Sequence, residues 1–294
     1  MAFITSSITS LRLTNPLKEI AETARKFGHG EYEVRVQGYE KRKDEVGELA
    51  EAFNAMADSI AKSEARRSEF VANISHELKT PMTTIAGFSD GILDGTIPPD
   101  KERAALQTIS SETRRLSRLV RRMLDISRIQ SQQDMKKEDF DLCESMRLAL
   151  LSMEQKITDR GLDVEADIPE DSVMVQGVND LITQVIYNLL ENATKFAAPG
   201  STLYLGLTET GGDKAVVTVR NTGHTIPPEE IPLLFERFHK SDKSRSEDKD
   251  GYGLGLYVVK TILSQHKEKI SVTSENGVTS FSFTVQLAHP MRNT

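Results

Sequence analysis

A single cysteine, Cys143, stands in 294 residues, so the chain cannot close a disulfide on itself, and the composition fits a reducing compartment. Cys143 is expected to be a half-buried small hydrophobe. No apolar run approaches the ~20 residues that a membrane-spanning helix needs. The first residues, Met1-Ala2-Phe3-Ile4, have neither a basic leader nor a true apolar core, which argues against a signal peptide. Basic residues are not in excess: 37 Lys and Arg face 44 Asp and Glu, giving a formal net charge of -7. A nucleic-acid-binding body usually shows a basic face, so no nucleic-acid partner is expected. Internal repeats and long low-complexity tracts are missing as well. What is present is a chain with 38% hydrophobic and 28% charged residues, ordinary for a soluble protein and long enough for roughly two or three modules.

The first third reads as helix. Leu13, Leu17, Ile20, Ala24 and Phe27 follow heptad spacing until Gly28 and Gly30 stop them. Val34 and Val36 alternate in an extended stretch. A second helix is expected from Asp44, with Val46, Leu49, Phe53, Met56 and Ile60 on its stripe. Two short amphipathic helices cannot bury their stripes alone, so a dimeric bundle is the economical solution. A third helix is expected from about Ser63 to Leu93, with Phe70, Ile74, Leu78, Ile85, Phe88 and Ile92 on its stripe. Gly95, Pro98 and Pro99 mark a turn. A fourth helix is expected from about Asp100 to Gln130, with Leu106, Ile109, Leu116, Val120 and Met123 facing inward. The last two helices form a hairpin, and two hairpins make a four-helix bundle.

Residues 131–139 are polar and read as a hinge. Beyond them the apolar runs shorten and alternate, at Val173–Val175, Leu203–Leu207, Val216–Val219, Ile270–Val272 and Phe281–Val285, with a helix over Asp180–Phe196. The pattern is that of an α+β layer.

The sharpest chemical signal is Ser75-His76-Glu77-Leu78-Lys79-Thr80-Pro81. On a helix, Ile74 and Leu78 lie on the buried stripe and His76 faces out, about 200° round from Ile74. Thr80 is one turn on, on the same face, and Glu77 flanks it. A carboxylate beside an exposed imidazole can fix its tautomer or accept its proton, leaving the other nitrogen as a nucleophile. Pro81 should kink the helix just beyond. The second signal is Gln184, Asn188, Asn192 and Lys195, one polar stripe on the later helix. Amide carbonyls suit Mg²⁺, and a lysine is a point charge for phosphate. The third is Gly251-Tyr252-Gly253-Leu254-Gly255-Leu256, followed by helix, where glycines and a helix N-terminus can receive a phosphate. It follows no strand of a βαβ unit, which excludes the dinucleotide-binding reading.

These motifs, in this order, resemble those of the sensor histidine kinases. The string around His76 is similar to their phosphoacceptor box. The resemblance implies that His76 is phosphorylated, that Glu77 is the general base, and that Thr80 positions water when phosphate is hydrolysed. Asn188 to Phe196 resembles the N box, which implies Mg²⁺ on Asn188 and Asn192 and phosphate contact by Lys195, with Phe196 in a position usually held by Tyr. Gly251, Gly253, Leu254, Gly255 and Leu256 resemble the second glycine box of the GHKL ATP-binding fold, and Phe235, Arg237, Phe238 and Lys240 the F box of its lid, with Lys240 where Arg is frequent. The charged run from Lys240 to Asp250 has the composition of a mobile lid. Asn221-Thr-Gly223-His-Thr225-Ile226 stands where the family has Asp-x-Gly-x-Gly. An Asn oxygen at 221 still accepts a bond from the adenine amino group, without charge, so weaker adenine binding is expected. Thr225 replaces the second glycine. Gly277, Thr279 and Phe281 are a loose version of the closing box, which adds Thr279 to the nucleotide site, and His266-Lys267-Glu268 lacks the usual glycine pair.

Pro16, Glu19, Asp44-Glu45 and Gly47 resemble a HAMP domain. The expected fold is multidomain: an all-α part, HAMP helices plus a dimeric four-helix bundle, followed by an α+β sandwich of the GHKL (Bergerat) type. The expected divisions are a membrane-helix tail over 1–10, HAMP over 11–63, the phosphotransfer hairpin over 64–132, the ATP domain over 138–288 and a tail over 289–294. The family implies ATP and Mg²⁺ as cofactors and an autokinase that passes phosphate to an Asp of a response regulator, with phosphatase activity besides. It also implies a homodimer, forming the cytoplasmic portion of a bacterial cell-membrane protein held by an upstream transmembrane segment. Arg114, Arg115, Arg118, Arg121 and Arg122 form a basic stripe that an acidic receiver domain could meet, or that is a solvated face. Two other readings compete. A GHKL ATPase leaves His76-Glu77 unexplained, and a non-catalytic HAMP scaffold draws support from Asn221 and Thr225.

Overall fold

The computed structural model describes residues 13–39, 41–131, 136–240 and 251–288. Two units divide between Thr80 and Pro81, and each is taken by itself. The expected tails at 1–10 and 289–294 lie outside the described residues, as do 132–135 of the expected hinge and 241–250 of the expected lid.

In the first unit, helix α1 spans Asn15–Gly28 and has Pro16 in its first turn, where a missing N–H costs nothing. Gly30, at φ 97°, turns the chain out and donates to the Phe27 carbonyl. An extended connector follows, and Asn54 grips it from the next helix. The Asn54 amide accepts from Val36 N at 3.0 Å and donates to Val36 O at 2.8 Å, as a strand neighbour would. Asp44 caps that helix by accepting from Gly47 N. Only glycine fits at 47, because a Cβ there would lie 2.3 Å from the Arg42 carbonyl oxygen. Ile20, Phe27, Val36, Val46, Ala50, Phe53 and Ala57 form the core, with Tyr32, Val34 and Tyr39 against it. The rest of the expected stripe is outside: Leu13, Leu17, Leu49, Met56 and Ile60 are 41–49% exposed.

Two separate helices were expected from Asp44 and from Ser63; one continuous helix, α2, runs over Glu45–Leu93. The junction Ala61-Lys-Ser-Glu-Ala-Arg-Arg-Ser-Glu69 contains no Gly or Pro and is rich in good helix formers, so nothing breaks it. The helix also runs through Pro81, which is buried. Phe70, Ile74, Leu78, Ile85, Phe88 and Ile92 are all half-buried and none is fully covered.

In the second unit, α2 ends in a turn closed by Ile97 N on the Gly91 carbonyl at 2.8 Å, with Gly95 at φ 74°. Helix α3 follows over Pro99–Ser131. Its buried residues differ from the expected stripe: Ala105, Leu119, Ile126 and Ile129 are inside, whereas Leu106 is 55% and Val120 44% exposed. The last turns of α3 face a later helix instead, as described below.

The remaining chain makes two layers. Strands β1 (Glu138–Asp141) and β3 (Met174–Gly177) pair antiparallel. A five-stranded sheet has β2 (Asp163–Asp167), β4 (Thr202–Glu209), β5 (Lys214–Thr222), β7 (Val278–Gln286) and β6 (Ile270–Glu275) side by side in that order; β2 and β4 are parallel and the other pairs antiparallel. One face is apolar: Leu203 and Leu205 on β4, Val217 and Val219 on β5, Phe281, Phe283 and Val285 on β7. Helix α6 (Asn179–Phe196) packs on β5 and is flanked by α4 (Leu142–Ser152) and α7 (Gly255–His266), while the short α5 (Glu154–Asp159) follows α4. Ile182, Val185, Ile186, Leu189 and Leu190 of α6 are completely covered. Cys143 is fully buried rather than half-buried, its thiol 3.5 Å from the Asp171 carbonyl, and burial pushes its pKa up.

Candidate functional site

His76 lies in mid-helix on α2 and is exposed, with Thr80 exposed one turn on and Glu77 half-buried beside it. Its ring makes no hydrogen bond among the described residues; Thr80 Oγ1 donates to the His76 backbone carbonyl at 3.3 Å. An imidazole held on a rigid helix with both nitrogens open can act as a nucleophile.

The second unit gathers the other predicted residues at one end of a helix pair. His266, the last residue of α7, accepts from the backbone N–H of Val178, the residue before α6, at 3.1 Å. The two helices pack together, so α7 runs back along α6. From His266 to Gly255 is eleven steps, a rise of ~17 Å, and the same distance along α6 from Val178 reaches the level of Leu189. Asn188 and Asn192 therefore lie on α6 at about the level of the glycine-flanked start of α7. Both are half-buried, and their amides make no hydrogen bond among the described residues. Two open amides one turn apart, with no competing partner, fit a hard cation that prefers oxygen ligands. Lys195 comes one turn later, its ammonium 5.7 Å from the Phe196 ring centre.

The end of β5 borders the same region. Asn221 follows Val219 on the buried face, is 4% exposed, and makes no side-chain hydrogen bond among the described residues. Gly223 bridges to Ala197, directly after α6, and a Cβ on it would lie 2.3 Å from the Phe196 carbonyl oxygen. Thr225, which replaces an expected glycine, has a definite role: its hydroxyl accepts from Gly277 N at 2.8 Å and ties the loop to the β6–β7 turn. That turn is Asn276-Gly277, both at positive φ, as a two-residue hairpin requires. Ile226 N donates to Ser274 Oγ at 2.8 Å, and Ser274 bonds in turn to Thr279 Oγ1 at 2.8 Å. Thr279 therefore stands beneath Ile226 as part of a buried polar trio.

Phe238 and Gly253 are strapped together. Phe238 N donates to the Gly253 carbonyl at 3.1 Å. Gly253 lies at φ 65°, and a Cβ there would meet His239 O at 2.6 Å, so glycine is required twice over. Phe238 is itself at φ 59°, a strained conformation of the kind that accompanies functional sites. Phe235 packs edge-on to Phe281. Arg237 donates to Tyr257 Oη and lies 4.5 Å over its ring. Lys240 is half-buried; Leu254 is fully buried before the half-buried Gly255 and Leu256; and Gly251 precedes them.

Sequence reasoning missed the partners of these motifs. Tyr252, between two glycines, is 3% exposed, and its hydroxyl donates to the Arg115 carbonyl on α3 at 2.8 Å. Gln130 of α3 donates to Tyr257 Oη, and Gln265 donates to Ile129 O. Glu191, inside the amide stripe, bridges Lys156 at 2.7 Å and Arg122 at 3.4 Å. The basic stripe of α3 is thus split. Arg115 and Arg122 face these contacts, while Arg114, Arg118 and Arg121 are exposed. A tyrosine in a glycine-rich turn was the one legible hint.

Comparison with known proteins agrees with this layout. Three family models match in succession: the HAMP domain over residues 8–62, the His Kinase A (phospho-acceptor) domain over 66–132, and the histidine kinase-, DNA gyrase B- and HSP90-like ATPase over 177–289. The chain belongs to the sensor histidine kinase family. Among similar sensor histidine kinases, YclK of Bacillus subtilis is 34% identical over 89% of this chain and 56% of its own length. The heme sensor protein HssS of Staphylococcus haemolyticus is 32% identical over 94% of this chain and 58% of its own. The chain thus spans little more than half the length of these relatives. Among solved histidine kinases, AdeS of Acinetobacter baumannii superposes with a TM-score of 0.58 at 25% identity, over 73% of this chain and 98% of AdeS. ThkA, solved in complex with the response regulator protein TrrA, shares the fold at a TM-score of 0.61 and 24% identity, over 78% of this chain and 66% of ThkA. Like its family, the chain carries an ATP-binding domain of the histidine kinase type. No helix among its described residues is long and apolar enough to cross a membrane.

Proposed function

We propose that the chain is an ATP-dependent protein histidine kinase that phosphorylates itself on His76 and passes the phosphoryl group to an Asp of a response regulator. The observation that carries this reading is the pair of open, half-buried amides of Asn188 and Asn192 at about the level of the start of α7. Mg²⁺ held there would screen the charge of the triphosphate. Lys195, Lys240 and the N–H groups around Gly251, Gly253 and Gly255 meet phosphate oxygens, with Arg237 at the edge of the lid. Asn221, Gly223, Ile226, Thr279 and Leu254 receive the adenine, while Phe196, Phe235, Phe238 and Leu256 close around it. An imidazole nitrogen of His76 attacks the γ-phosphorus in line, and the bond to the bridging oxygen breaks as ADP leaves. Glu77 takes the proton from the other ring nitrogen. Thr80, on the same face, orients water in a phosphatase reaction.

The working module boundaries are 11–63, 64–132 and 138–288. The protein acts as a homodimer, which would cover Leu13, Leu17, Leu49, Met56, Ile60, Leu106 and Val120, all more than 40% exposed in one chain. The receiver domain meets the exposed Arg114, Arg118 and Arg121 face, where opposite charge would steer the encounter. The HAMP helices couple these cytoplasmic modules to a membrane segment of the bacterial protein, as in other sensor kinases.

Incubation with γ-labelled ATP and Mg²⁺ tests the reading. Wild type acquires acid-labile, base-stable label and His76→Gln acquires none. Equal labelling of the two would mean that another residue is the nucleophile, and ATP turnover without label would favour a GHKL ATPase.

A further inference from the structure

His266 is 3% exposed, yet it is neither part of the nucleotide site nor a surface residue. Its ring has both nitrogens engaged. Nε2 accepts from Val178 N–H at 3.1 Å, so it carries no proton; Nδ1 is then the protonated nitrogen and donates to the Ile262 carbonyl at 2.8 Å. The ring lies against Gly177 and joins the last turn of α7 to Val178, the residue before α6. The open amides of Asn188 and Asn192 and the phosphate-facing start of α7 stand at the opposite end of the same helix pair. Helices are stiff along their axes, so whatever fixes the relative height of α6 and α7 at one end fixes it at the other. Ser145 and Thr183 anchor the start of α6 on Asn179, and neither of these two bonds reaches α7.

Building on the nucleotide site proposed above, we propose that neutral His266 is a positioning residue, setting the axial register of α6 against α7 and so the spacing between the Asn188–Asn192 amides and the Gly253–Gly255 turn. Protonating Nε2 removes the acceptor and sets a charged N–H against the Val178 N–H, so the clasp opens on acidification. The charged groups around the ring are mixed. Lys137 donates to the His266 carbonyl at 3.2 Å, and Asp139, Asp213, Lys214, Lys267 and Glu268 line the adjoining cleft; on α6 the nearest charge in sequence is Asp180. Burial first, and then the Lys137 charge, hold the His266 pKa below the ordinary histidine value against the pull of Glu268 and the Ile262 carbonyl. A base with a depressed folded-state pKa stabilises the fold above its unfolded value of about 6.5, and the contribution is lost as pH falls through the lower folded-state value.

The test uses the full chain and the affinity of Mg²⁺ with a non-hydrolysable ATP analogue, measured by calorimetry between pH 8 and pH 5.5. His266→Gln offers an amide oxygen near the Nε2 position and keeps the clasp. His266→Asn reaches only the Nδ1 position and leaves Val178 N–H without a partner. At pH 8, His266→Asn is expected to weaken binding about tenfold while His266→Gln stays within about twofold. Wild-type affinity falls more steeply on acidification than that of His266→Gln, which carries no titrating ring. If His266→Asn folds poorly, the wild-type and His266→Gln pH profiles decide alone. Parallel profiles, or a folded His266→Asn with wild-type affinity, would overturn the proposal, as would a wild type that binds no nucleotide. Because nucleotide affinity is the readout, failure of His76 labelling alone leaves this result standing.

Discussion

Residues 13–93 and residues 138–288 close their apolar surfaces by different means. In the first region, heptad positions divide into a covered set, such as Ile20, Phe27, Val46 and Phe53, and an uncovered set, such as Leu17, Leu49, Met56 and Ile60. In the second, α6 alone contributes six side chains with no exposure at all, and β5 and β7 alternate strictly between covered and less covered residues. One region carries a stripe wider than its own fold can cover; the other contains its whole core. The difference matters for the proposed homodimer: if a second copy covers the open stripe, that region has two arrangements available to it, whereas a self-contained layer has one.

Substitutions can break this contrast. The largest effect is expected in the layer: Phe281→Ala, at 1% exposure, should cost about 3–5 kcal/mol in denaturant unfolding, independent of protein concentration. A cost that shrinks on dilution would show that the layer also needs a partner. Met56→Asp should cost roughly 1–3 kcal/mol, lost with the covering of one large side chain. It should act through assembly: the dimer dissociates at higher concentration in sedimentation while the layer melts as before. An unchanged dimer would remove Met56 from the interface. The smallest effect is a gain. Lys267 closes α7 at φ 62°, a left-handed cap where a side chain is strained, so Lys267→Gly should stabilise by about 1 kcal/mol in the same unfolding assay. A loss would mean that the lysine side chain has a compensating contact.

Much of this was readable in the residues. The α6 amide stripe follows from spacing alone, and the glycine pair at 253 and 255 marked the start of α7. Strands β1 and β2 were not readable. Their sequences, Glu-Asp-Phe-Asp and Asp-Val-Glu-Ala-Asp, show little apolar alternation, because β2 is an exposed edge and β1 buries only Phe140. The helix break expected near Ser63 is absent, because the residues there are good helix formers with no Gly or Pro among them. The roles of Tyr252, Glu191 and His266 depend on partners 35 to 137 positions away, at Lys156, Val178 and Arg115, which no local pattern encodes. Thr225 looked like damage to a glycine motif and is instead a tie to Gly277, visible only once the β6–β7 turn is in place.

Helix α2 has a further consequence, because it passes from Glu45 to Leu93 without interruption. Asn54, which grips the connector, and His76 lie on one continuous shaft, 22 steps apart and ~33 Å along its axis. Torsion applied at the upper end arrives at the imidazole with its phase intact, since no joint lies between them to absorb it. The direction in which the ring looks is therefore fixed by arithmetic: each residue inserted between Ile60 and Phe70 would swing it by about 100°, and seven would bring it nearly home.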